Sequence, residues 1–322
     1  MGDTAFVFPG QGSQYVGMGE ALARASPAAA AVFAEADWAL GSPISQLAWR
    51  GPAQELDQTV NAQPAILATS IAYLRALEER WATGGVTPVR PRFCAGHSMG
   101  QYSAMVAAGA LSLADGVRLV RERGRLMQAS AADADGAMAA IIGLDEAALP
   151  GVLAAGESAG AVVLANDNAP GQIVVSGERP AVAAALEAAR AAGARRTIEL
   201  AVSVAAHSPL MANAAAGMAR ALAPIAFADP TVPLLANAGA EPITTGPAAR
   251  RELVDHLTTG VAWTRAVRAM AAAGVTTFLE IGPGRVLTGL NRRIVPLASS
   301  LALDDPSVPD RLAVPELVLR TT

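Results

Sequence analysis

The chain of 322 residues contains no lysine; all 24 of its basic residues are arginine. That removes Schiff-base chemistry and the lysine of a phosphate-binding P-loop from consideration. It has one cysteine, Cys94, which excludes a disulfide framework and any multi-cysteine zinc site. Lying in a short apolar run, Cys94 reads as a buried core thiol. Histidine is nearly as scarce: His97, His207 and His256 are the three imidazoles available to any acid–base chemistry. The net charge of −4 leaves no basic excess for a nucleic-acid-binding surface. Met1-Gly2-Asp3-Thr4 carries no basic n-region, so no signal peptide is expected. From Phe93 to Ala114 there is no Asp, Glu, Lys or Arg, a run long enough to suggest a membrane span. Its Gly, Ser and Ala content, with His97, Gln101 and Tyr102 inside it, fits a buried turn and helix better. The expectation is a soluble, cytoplasmic protein whose 52% apolar content fills a sizeable core.

Within that uncharged run stands Gly96-His97-Ser98-Met99-Gly100, preceded by Phe93-Cys94-Ala95 and followed by Gln101-Tyr102-Ser103-Ala104-Met105-Val106. This reads as strand, sharp turn, helix, with a serine in the G-x-S-x-G pattern of a nucleophile elbow. A helix beginning just behind Ser98 offers unpaired N–H groups and a positive dipole end, both suited to a developing oxyanion. Read blandly, the same residues are a Gly/Ser turn that connects a strand to a helix.

Upstream, Thr4-Ala5-Phe6-Val7-Phe8 reads as a strand ending in the loop Pro9-Gly10-Gln11-Gly12-Ser13-Gln14, with helical spacing from near Tyr15. That loop lacks the G-x-G-x-x-G spacing of a dinucleotide site. It is either a simple strand-to-helix turn or a loop whose amides face the same pocket as Ser98. Residues 27–40 and 61–79 show helical periodicity, with Pro64 placed near the first turn of the second. In the helix from Leu113, the residues Arg118, Arg121, Glu122 and Arg125 face solvent. Arg123 sits in the same charge run, which on pattern alone is a solvated face.

From Gly136 to Leu200 the order is β-α-β-β-α-β, a split, ferredoxin-like arrangement inserted into a larger unit. The chain then returns through Val202-Ser203-Val204-Ala205-Ala206-His207. Strands are expected at 232–237 and 276–281, and helices at 209–222, 250–257, 263–273 and 285–293. The tail after Asp304 is Pro-rich and expected to pack loosely. Alternating strands and helices on both sides of the insertion imply a mostly parallel, helix-covered α/β sheet. The division is 1–130 and 200–322 for the large unit and 131–199 for the small one.

A serine nucleophile needs a base. His97 adjoins Ser98, and neighbouring side chains on an elbow diverge. His256 lies in an expected helix, where the ordinary reading is a surface position. His207, at the end of an apolar run taken as a strand, is left as the best candidate, since α/β sheets place active-site residues at strand ends. Asp133, Asp135, Asp229 and Asp255 stand at no evident strand end, and Asp167 lies inside the insertion. That points to a dyad, with the second imidazole nitrogen bonded to another group such as a backbone carbonyl.

Phe8-Pro9-Gly10-Gln11-Gly12-Ser13-Gln14, Gly96-His97-Ser98-Met99-Gly100, Arg123-Gly124-Arg125-Leu126-Met127-Gln128, Val202-Ser203-Val204-Ala205-Ala206-His207 and Ile281-Gly282-Pro283-Gly284 together resemble the malonyl-CoA:acyl-carrier-protein transacylases of fatty-acid and polyketide synthesis. Order and spacing agree from the N-terminus to about Val295. The resemblance implies an α/β-hydrolase-like core with a ferredoxin-like subdomain. It implies Ser98 as nucleophile, His207 as general base, and the backbone N–H groups of Gln11 and Met99 as oxyanion hole. Arg123 corresponds to the arginine that grips the malonyl carboxylate, which overturns the solvated-face reading. His256 falls where a backbone carbonyl holds the base. The substrates implied are malonyl-CoA and a holo acyl carrier protein, with no metal or other cofactor, no nucleic acid and no membrane, and a monomeric chain.

Three positions depart from the family pattern. Gln101 stands where Glu is common, Met99 where Leu is common, and Ala206 where Ser or Phe often precedes the base. Ala206 is small, so acyl selectivity between malonyl and 2-substituted malonyl groups stays open. The rival readings are a transferase for another dicarboxylic or carrier-bound acyl group, a serine thioesterase or proofreading hydrolase, and a docking subunit without activity. Arg195-Arg196 and Arg292-Arg293 are candidates for a patch that meets an acidic carrier.

Overall fold

The run Ala5-Phe6-Val7-Phe8 is apolar at every position, the pattern of a strand covered on both faces. In the computed structural model, which describes residues 3–132, 135–200 and 204–304, all four are buried. In chain order the strands are β1 (Asp3–Phe8), β2 (Phe93–Gly96), β3 (Gly136–Ile142), β4 (Val162–Ala169), β5 (Gln172–Glu178), β6 (Arg196–Glu199), β7 (Leu234–Leu235), β8 (Pro242–Ile243), β9 (Val275–Glu280) and β10 (Ser299–Ala302).

The larger sheet has the order β10-β9-β1-β2-β7-β8 and is parallel except for the β7–β8 pair. Alternation along β1 splits its side chains between two cores. Phe6 and Phe8 pack with the helices Pro27–Leu40, Thr59–Gly84, Gly100–Ala107 and Leu113–Ala132, while Ala5 and Val7 pack with Trp263–Ala272 and Val286–Ile294. From β1 the sheet runs outward through β2 and β7 on one side and β9 and β10 on the other. The loops after β1 and β2 leave the carboxyl ends of adjacent parallel strands, the edge at which such sheets bind ligands.

The inserted segment forms the second sheet, order β4-β5-β3-β6, antiparallel throughout. Its helices Leu149–Glu157 and Arg179–Ala191 pack with it in a core of their own. Strand order and chain order together are ferredoxin-like. The small sheet is tied to the large unit through β4, at an isolated bridge to the segment that leads into the helix Trp263–Ala272: Asp167 N–H donates to Val261 O at 2.9 Å, and Val261 N–H to Ala165 O at 2.8 Å.

Several expectations shift, each for a local reason. Gly17 and Gly19 hold φ of 102° and 75°, so the first helix is confined to Glu20–Ala25. Pro64 lies in the second turn of the long helix rather than the first, because that helix starts at Thr59. The strand expected at 232–237 shrinks to β7. Pro233 has no N–H to give a neighbour, although its carbonyl accepts from Cys94 N–H at 3.0 Å. Residues 204–207 form no strand, so His207 is not at a strand end; it sits in a turn whose N–H donates to Leu257 O at 3.1 Å. The short β8 and β10 and the helix Ile44–Arg50 were not expected from pattern. The expected looseness after Asp304 concerns residues outside those described. The uncharged run 93–114 divides into β2 and the helix Gly100–Ala107, and no described helix is long and apolar enough to cross a membrane.

Candidate active site

Register places the loops. Phe8 of β1 pairs with Gly96 of β2, so Gln11 and Ser98 emerge side by side at the carboxyl ends of adjacent strands. At Ser98 the chain turns with φ 52°, in the left-handed region that a side chain makes costly. The turn is tight enough that a Cβ on Gly100 would lie 2.2 Å from Phe8 O, so glycine is required there. Behind it the helix Gly100–Ala107 begins, with Met99 at its N-cap. Neither the Met99 nor the Gln11 backbone N–H donates to another described residue. Both N–H groups are thus donors available to an incoming acceptor.

His207 meets Ser98 across the crevice, with its Nε2 2.8 Å from Ser98 Oγ. On the other side of the ring, Nδ1 is 2.7 Å from His256 O and 3.0 Å from Thr259 O. A carbonyl can only accept, so Nδ1 carries the proton and Nε2 presents its lone pair to the serine hydroxyl. This is the dyad arrangement, oriented by two carbonyls and no carboxylate. Burial pulls the His207 pKa down to about 3, with the nearby Arg123 charge acting in the same direction and the two carbonyls opposing it. The His207 imidazole is therefore neutral, and able to accept a proton, throughout the neutral range.

His256 contributes its carbonyl from the position that ends the helix Gly246–Asp255. It is buried, not on a helix surface, and neither ring nitrogen has a described hydrogen-bond partner. His97 diverges from the serine as the elbow requires. Its Nε2 meets Asn168 Oδ1 of β4 at 2.7 Å, and its ring lies against Trp263.

Arg123 is only 2% exposed, despite its place in a charge run. The neighbouring Gly124 explains how. A Cβ there would lie 2.7 Å from Val60 Cα, so the helices Leu113–Ala132 and Thr59–Gly84 touch backbone to backbone at this level. That contact carries Arg123 into the interior, where its Nη1 donates to Gln63 Oε1 at 2.8 Å and its Nη2 to Ser98 Oγ at 3.2 Å. Among the described residues the Nε has no acceptor, and no carboxylate pairs with the guanidinium. Burial lowers its pKa, yet a guanidinium keeps its charge. The edge formed by Nε and Nη2, two donors able to grip a carboxylate in parallel, thus lies beside the Ser98 hydroxyl.

The other expected residues fall nearby or are occupied elsewhere. Ala206 is buried in the main core next to His207. Gln101 is fully buried and doubly paired: Gly96 N–H donates to its Oε1 at 3.0 Å, and its Nε2 donates to Leu235 O at 2.9 Å. Arg292 and Arg293 hold main-chain carbonyls of Ser300 and Pro170, which ties them to the fold. Gln63, Asn237 and Thr259 touch the site but were not expected. The available signals were a polar Gln63 inside an apolar helix and an Asn237 closing an apolar run.

The acyl transferase domain family matches residues 5–298. The malonyl CoA-acyl carrier protein transacylase of Escherichia coli strain K12 is 46% identical over 303 residues, 94% of this chain and 96% of that protein. The acyl-carrier-protein-S-malonyltransferase of Bartonella henselae superposes with a TM-score of 0.91 at 42% identity, covering 98% of this chain and all of that one. A malonyl-transacylase solved in complex with its type II polyketide synthase acyl-carrier protein superposes with a TM-score of 0.89 at 42% identity, covering 97% and 99% of the two chains.

Proposed function

The chain belongs to the acyl transferase domain family, and from that premise we infer that it carries a malonyl group from coenzyme A to the phosphopantetheine thiol of an acyl carrier protein, by way of an ester on Ser98. The observation that carries this reading is Arg123: a buried guanidinium without a described carboxylate partner, donating to the hydroxyl that His207 also holds. A buried cation is costly unless something pairs with it. The free carboxylate of a malonyl thioester bound at Ser98 supplies that pair, which an acetyl group lacks.

In the first half-reaction Ser98 Oγ attacks the thioester carbonyl carbon while its proton passes to His207 Nε2. The imidazolium that forms is held through Nδ1–H by the His256 and Thr259 carbonyls. The oxyanion is met by the N–H groups of Gln11 and Met99. Collapse expels the coenzyme A thiolate, which takes the proton from His207 and leaves malonyl-Ser98. In the second half the carrier thiol gives its proton to the same nitrogen and its sulfur attacks the ester. Ser98 then leaves with that proton. The residues named, one thioester and one thiol complete this chemistry, and no cofactor is required.

Initial rates measured against malonyl-CoA at several fixed concentrations of holo carrier protein test the scheme. Parallel double-reciprocal lines are expected for a covalent intermediate. Intersecting lines, or transfer that survives Ser98→Ala, would remove the ester from the pathway.

A further inference from the structure

A serine at φ 52° must be held there by its surroundings. Ser98 N–H donates to Asn237 Oδ1 at 3.0 Å. Asn237 is buried, and each of its polar groups is engaged. Its N–H and its Nδ2 donate to Glu252 Oε1 at 2.7 and 3.1 Å, and its carbonyl accepts from Ala262 N–H at 2.7 Å. We propose that Asn237, oriented by Glu252, is a positioning residue for the nucleophile. It fixes the backbone of the elbow and keeps the Ser98 N–H out of the oxyanion site. The proposal rests on the reading of Ser98 as the nucleophile.

The chemistry fixes which way the amide faces. A carboxylate oxygen accepts, so Nδ2 turns to Glu252 and Oδ1 to the serine. Rotated by half a turn, the side chain would set an NH2 against the Ser98 N–H and an oxygen against the carboxylate, two repulsive contacts in place of two attractive ones. The loop that presents Asn237 is itself held tightly. Ala240 N–H returns to Ala236 O at 3.1 Å, and Ala240 sits at φ 62°, like Ser98 and His207 a non-glycine residue in the left-handed region.

Glu252 also shares a helical turn with the group that holds the base. His256 N–H donates to Glu252 O at 3.0 Å, and His256 O accepts from His207 Nδ1. The last turn of the helix Gly246–Asp255 therefore holds His207 directly and Ser98 through Asn237. It acts as a common reference for the 2.8 Å between base and nucleophile.

The test is the single-turnover rate at which Ser98 is acylated by malonyl-CoA, read by quenching and mass, with malonyl-CoA affinity measured in parallel. Asn237→Ala and Glu252→Ala are expected to slow acylation about 100-fold while affinity moves less than about threefold. Glu252→Gln keeps an oxygen for Asn237 and is expected to stay within about threefold of wild type. If Asn237→Ala does not fold, Asn237→Asp replaces it. Two facing carboxylates slow acylation, and adding Glu252→Gln is expected to recover it at least about tenfold. Acylation at the wild-type rate in Asn237→Ala, equal loss in Glu252→Gln and Glu252→Ala, or no recovery in the double variant overturns the proposal alone. A wild-type chain that forms no ester on Ser98 overturns the nucleophile reading, and the proposal with it.

Discussion

Replacing Arg123 with alanine separates the two things this residue does. In the free protein it is a buried cation whose Nη1 leans on Gln63, whose Nη2 leans on Ser98, and whose Nε has no acceptor among the described residues. With a malonyl group bound, the Nε–Nη2 edge of this buried guanidinium gains a carboxylate. Removing one partner of such a buried pair costs about 3–5 kcal/mol, which is about 10²- to 10⁴-fold in kcat/KM for malonyl-CoA. Acetyl-CoA has no carboxylate to lose. Its slow transfer should change by less than about tenfold, since Ser98, His207 and the oxyanion donors stay in place. The discriminating quantity is the ratio of the two kcat/KM values, measured in wild type and Arg123→Ala under identical carrier concentrations. The variant is expected to lower the malonyl-to-acetyl ratio by at least about 10². Equal losses for both thioesters, with folding intact, would refute the carboxylate clamp and assign Arg123 to the packing of its helix. Arg123→Lys should fall between, because a point charge replaces a two-pronged donor.

Gly124→Ala tests how Arg123 reaches the site. With backbone 2.7 Å from the new Cβ, the two helices must separate, costing about 1–3 kcal/mol in urea unfolding and lowering malonyl transfer more than acetyl transfer. Glu280 is wholly buried and accepts from the N–H groups of Leu287 and Thr288 at 2.9 and 2.7 Å, so Glu280→Leu should cost about 2–4 kcal/mol by leaving both donors unpaired. Burial lowers the pKa of His207 to about 3 and that of His256 well below its ordinary value. Between those folded values and about 6.5 the unfolded chain binds protons that the fold does not, so stability is fully present above about pH 6.5 and falls below it, by up to about 3 kcal/mol per pH unit for the pair. Chemical denaturation from pH 7 to pH 4.5 should show this loss, and His256→Gln, which keeps the carbonyl, should reduce its slope. An unchanged slope would contradict the burial of a neutral ring.

The elbow was legible because its chemistry is local. G-x-S-x-G between a strand and a helix needs only neighbours in sequence, and Ser98 stands where those neighbours put it. The β-α-β-β-α-β insertion was legible for the same reason, through runs whose period changes from two to helical. His207 was reached by scarcity of histidine, with the wrong local picture: the turn that presents it is held by Leu257, far along the chain, and no period of residues 202–207 reports that bond. Arg123 defeated periodicity altogether. Its burial depends on Gly124 meeting the backbone of another helix, a contact visible only in three dimensions, and only resemblance pointed to it beforehand. Asn237 and Glu252 carried no signal beyond an asparagine after an apolar run and an acid in an expected helix. Their meaning lies in a relay that joins three separate segments.

The most direct measurement is the fate of Ser98 itself. The protein is mixed with malonyl-CoA, freed of excess thioester, and divided between buffer and holo carrier protein, with peptide masses followed in time. A malonyl adduct is expected on the peptide that contains Ser98, slow to clear in buffer and rapidly cleared by the carrier, whose own mass rises by one malonyl group. Clearance to free malonate at the same rate with and without carrier would make the protein a hydrolase. An adduct on any residue other than Ser98, or none, would contradict the mechanism.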